Sequence, residues 1–104
     1  MSGLDNTSYT TRTITTTGGT ITHQDSVIIG TNAGAKNFAL LGGAQVQPGR
    51  QYTFSNPTVT TMTLTPAAGT IDGAATKVIA AGTAAAPVCV TIASDGTNWV
   101  TVSS

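Results

Sequence analysis

Glutamate is absent from this chain, and charge of either sign is scarce: four Lys or Arg and four Asp among 104 residues, 8% in all. An ordinary soluble domain carries about 25%. Disorder is excluded, because disordered chains combine low hydrophobicity with high charge, and here 39% of residues are hydrophobic. Nucleic acid is excluded as a main partner, because neutralising phosphates takes clustered Lys and Arg. Arg12, Lys36, Arg50 and Lys77 are scattered and offset by Asp5, Asp25, Asp72 and Asp95, for a net charge of zero. Cys89 is the only cysteine, so no intrachain disulfide forms and no oxidising compartment is needed. No run approaches the roughly 20 apolar residues that span a bilayer, and no membrane partner is expected. The opening Met1 to Ser8 lacks the basic and apolar regions of a secretory signal.

What is abundant is Thr, Ala and Gly, at 22, 14 and 12 residues nearly half the chain. Residues 1 to about 20 are rich in Thr, with Leu4, Tyr9 and Ile14 as their few apolar anchors. Thr favours extended backbone, and so little apolar surface cannot build a core. This segment is expected to be an extended N-terminal arm that either lies on a neighbour, with Leu4, Tyr9 and Ile14 spaced to enter pockets there, or stays mobile.

Residues 21 to 104 read as a β domain of seven or eight short strands separated by turn residues. Tyr52 and Phe54 alternate with Gln51, Thr53 and Ser55. Met62 and Leu64 alternate with Thr61, Thr63 and Thr65, and Val88, Val90 and Ile92 share a face. Pro48-Gly49, the stretch Gly69 to Gly73, and Asp95-Gly96 are turn signals, the last expected in a hairpin that leads to Trp99. No window carries a sustained 3.6-residue period with caps, and Gly82 interrupts the Ala-rich stretch Ala80 to Ala86. The expected class is all-β: a compact sandwich, jelly-roll-like or barrel-like domain.

Catalytic constellations are missing. His23, Asp25 and Ser26 lie too close along one strand to converge as a triad, since neighbouring strand residues point to opposite faces. One His, one Cys and four dispersed Asp offer no metal-ligand spacing. Asp95-Gly96-Thr97-Asn98 lacks the later acidic ligand of a calcium loop, and Gly18-Gly19 and Gly42-Gly43 neither open a helix nor precede a Lys, as phosphate loops would. No enzymatic activity, metal or cofactor is expected. Cys89, between Val88 and Val90, is expected as a small buried hydrophobe, and Trp99 as a core or interface anchor.

The stretch from Asn56 to Ser104 resembles a module of tailed-bacteriophage virion proteins that occurs in head-decoration proteins, tail fibres and spikes. The matching positions are Pro66, Gly69, Ile71-Asp72-Gly73-Ala74, Ser94-Asp95-Gly96-Thr97-Asn98 and Trp99. Upstream, Pro48-Gly49-Arg50-Gln51-Tyr52-Thr53-Phe54 looks like the module's Gly-Arg-x-Tyr-Thr strand. The resemblance covers about residues 25 to 104. It implies a homotrimer on the virion and leaves head and tail both open. The leading expectation is a capsid decoration protein, made in the host cytoplasm and bound to the major capsid protein on the outer capsid surface; the alternative is a tail-fibre or spike component contacting host glycan. The low charge agrees with association, because a nearly uncharged surface is poorly defended against it.

Overall fold

The structure is a computed structural model and describes residues 9–104. Its strands are β1 (Thr10–Ile14), β2 (Gly18–Thr20), β3 (Asp25–Gly30), β4 (Lys36–Leu40), β5 (Gln51–Asn56), β6 (Met62–Pro66), β7 (Lys77–Ile79), β8 (Val88–Ser94) and β9 (Trp99–Ser103). They form a five-stranded sheet of order β1-β3-β5-β8-β9 and a four-stranded sheet of order β2-β4-β6-β7. The fold is all-β, as the alternating patterns require.

The N-terminal two thirds wind as a coil. Each pair β1–β2, β3–β4 and β5–β6 places one strand in each sheet, and successive pairs stack in parallel. Parallel neighbours need a long crossover; here the strand in the opposite sheet is that crossover. The last three strands reverse direction, β7 against β6, β8 against β5 and β9 against β8. Side chains alternate across the pleat, so Phe38 and Leu40, Tyr52 and Phe54, Met62 and Leu64, and Val90 and Ile92 all turn into one core between the sheets. Trp99, fully buried, stacks 5.4 Å from Tyr52 and donates its Nε1–H to the Leu41 carbonyl at 2.8 Å.

That tryptophan bond ties the β8–β9 hairpin to the segment after β4, which leads into the short 3-10 turn Gly43–Gln45. Ser94 Oγ adds a bond to the Gly43 carbonyl at 2.6 Å. The approach is so close that a Cβ on Gly43 would lie 2.7 Å from the Asn98 backbone, a contact only glycine avoids.

Two expectations are corrected. Residues 10–14 and 18–20, expected within a separate arm, are edge strands of the two sheets, and Ile14 is buried in the core at 6% exposure. Its side chain has a site because Gly19 leaves the room: a Cβ there would lie 3.0 Å from Ile14 Cδ1. Leu4 lies outside the described residues. Cys89, expected inside, is exposed: with Val88, Val90 and Ile92 turned inward, the residue between the first two must face out.

Candidate functional site

The turns at 71–74 and 95–98 have a clear local logic. Ile71 and Ala74 exchange both backbone hydrogen bonds, and the two residues between them, Asp72 and Gly73, have φ of 53° and 80°. This is the geometry of a tight hairpin turn with positive φ at both central positions, which Asp-Gly suits. The Asp72 carboxylate then accepts from the Thr101 N–H at 2.7 Å and the Thr101 hydroxyl at 2.5 Å, and pairs with Lys77 at 3.2 Å. The Thr101 hydroxyl, the Thr101 N–H and Lys77 hold its pKa below the ordinary value. Asp95 receives the N–H groups of Thr97 and Asn98, at 2.9 and 2.8 Å, which likewise lowers its pKa. Gly96 follows at φ 100°, and Gly49 and Gly69 also take positive φ. Asp72 and Gly73 form a turn, Gly49, Gly69 and Gly96 lie in connections between strands, and Trp99 opens β9.

At one end of the molecule Arg50 is clamped. Its guanidinium lies 3.9 Å from the Tyr9 ring centre and 4.2 Å from that of Tyr52. It donates to the carbonyls of His23, Asp25 and Gln51. Tyr9, Ser26, Gln47, Pro48, Gly49 and Gln51 surround it in an open cleft of about 430 Å³. His23 contacts the Gln45 carbonyl at 3.0 Å, and buried Asp25 is held by Arg12 at 3.0 Å and the Thr22 N–H at 2.9 Å. His23 and Asp25 are thus committed to different partners, while Ser26 lines the cleft. Among the described residues no three His, Cys, Asp or Glu side chains gather at one point.

Lys36 forms a site that no sequence pattern marks. This lysine is fully buried, and its ammonium donates to the carbonyls of Asn32 and Gly34 and to the hydroxyls of Thr58 and Thr60, at 2.6 to 3.1 Å. Burial pushes its pKa down. Asn56, also buried, bonds the Thr60 and Ala80 carbonyls and accepts from Thr58. The result is a polar knot that fastens three connections.

These contacts include two ion pairs, Arg12–Asp25 and Lys77–Asp72, with the other described charges held by neutral groups. Of the eight charged residues Asp5 lies outside the described part, and each of the other seven is engaged within the chain. The outward rows of both sheets carry none of the seven. On the five-stranded sheet the rows Thr13–Ile29–Ser55–Cys89 and Thr11–Val27–Thr53–Thr91–Ser103 run across neighbouring strands. On the four-stranded sheet the row is Gly18–Asn37–Thr63–Val78. Exposed Val78, Val100 and Val102 add apolar surface. No protein-family model, curated protein or solved structure matches the chain.

Proposed function

We propose that the chain is a non-enzymatic structural protein of a bacteriophage virion, a capsid decoration protein that binds the outer shell as a homotrimer and stabilises the head. The observation that carries this reading is the absence of a charged side chain from the outward rows of both sheets, combined with the internal engagement of all seven described charges. Such a surface has nothing with which to steer an ionic ligand. It does have flat areas of Thr, Val and Ile on which a neutral protein surface packs without stranding a charge. The sequence resemblance of residues 25 to 104 supports the virion setting, and the major capsid protein is the partner it implies. Neither nucleic acid nor membrane has a role in this reading, and no cofactor is called for.

A second reading, a tail-fibre or spike component contacting host glycan, is favoured by one observation. The coils β1–β2, β3–β4 and β5–β6 add along one axis, as repeating units of elongated proteins do. Adding the purified chain to heads that lack it separates the two. Decoration predicts saturable binding and a higher temperature of head disruption. No binding to heads, with binding to tails or host surface instead, contradicts it.

A further inference from the structure

Sheets end in edges, and an edge strand with free N–H and C=O groups invites another strand unless something blunts it. Among the described residues this protein has four edges, and three are blunted. The β9 edge is covered by the 71–74 turn: the Asp72 N–H donates to the Trp99 carbonyl, and the Thr101 N–H is taken by the Asp72 carboxylate. The β7 edge is three residues long and begins with Lys77, and the β2 edge is also three residues long.

The β1 edge is different. Thr10 donates its N–H to the Gln24 carbonyl, and the Ile14 carbonyl accepts from Thr31. Both groups therefore face β3. Alternation turns the N–H and C=O of Thr11 and Thr13 the other way, and β1 pairs with no other described strand. No proline interrupts it. Its one charge, Arg12, is withdrawn into the pair with Asp25.

We infer that the β1 edge takes residues 1–8 of a second copy as an added strand, and that this exchange, repeated around a ring, joins the copies. The inference rests on the homotrimer reading of the previous subsection. Length supports this occupant: eight extended residues reach about 26 Å, against about 17 Å for the five residues of β1. Chemistry supports it as well, since Met1 to Ser8 brings one charge, Asp5, to an edge whose outward side chains are Thr11 and Thr13. Main-chain bonds supply the affinity in strand addition. Donation from each copy to the next is a head-to-tail contact, which closes when the rotation allows a ring.

Two variants of the full chain test it by light scattering coupled to size exclusion, with circular dichroism and melting in parallel. One lacks residues 2–8. The other is Thr13→Pro, which removes an N–H pointing away from β3 and so breaks no bond within the sheet. The wild type is expected at three times 10.4 kDa, and both variants at one third of the wild-type mass with β-sheet spectra intact. If Thr13→Pro fails to fold, the deletion variant decides alone. Variants that stay trimeric overturn the strand exchange while leaving the trimer reading standing. A trimeric deletion variant beside a monomeric Thr13→Pro also overturns it, because the edge then pairs with something other than residues 1–8. A monomeric wild type overturns the exchange and the trimer reading together.

Discussion

Lys36 shows how far a single residue reaches in so sparsely charged a chain. Its ammonium is the common donor for carbonyls and hydroxyls on two connections, 31–35 and 57–61. Lys36→Met keeps the volume of the stem and removes that donor. We expect a loss of about 2–4 kcal/mol in denaturant unfolding, the range for stripping a buried charged partner from its acceptors; an unchanged midpoint would contradict the assigned role. Asp72 gives a pH test. Its folded pKa lies below the ordinary 3.8, so its stabilising contribution is fully present above the unfolded value and disappears as pH falls through the folded one. The melting difference between wild type and Asp72→Asn is therefore expected to be constant above about pH 5 and to shrink toward pH 2. A difference that holds at low pH contradicts this. Gly73→Val and Gly96→Val force a β-branched residue to φ of 80° and 100° and should each cost about 1–3 kcal/mol by melting. Of these residues the turn glycines and Asp72 were legible in the sequence. Lys36 was not, because its acceptors are backbone carbonyls and threonines, which are everywhere in this chain.

Among the elements, β5, β6 and β8 were legible from alternation alone, and the β8–β9 hairpin from its Asp-Gly. Parallel stacking was not, because a two-residue period says which face is buried and nothing about the direction of the neighbour. The same gap explains the arm. Residues 10–20 carry too little apolar surface to announce strands, and they are strands because β3 and β4 offer them ready-made edges. Trp99 joins the β8–β9 hairpin to the segment after β4 through the Leu41 carbonyl. Trp99→Phe keeps a ring beside Tyr52 and leaves the Leu41 carbonyl without its donor. A loss of about 1–3 kcal/mol is expected, and a variant as stable as wild type would show that the bond contributes nothing.

At the scale of the whole molecule the organising fact is where charge is placed: at the rims and inside, engaged, with the outward rows of both sheet faces neutral. Association built on such faces and on main-chain pairing has little to lose by screening. The oligomer mass is expected to be the same at about 0.05 M and about 1 M salt, and dissociation at high salt would point to ionic contacts between copies. The central claim is the place on the virion. Electron microscopy of intact phage particles assembled in cells that make this chain, labelled with an antibody to it, tests that proposal most directly. The account predicts label distributed over the outer surface of the head. Label confined to the tail, or absent from the particle, would contradict it.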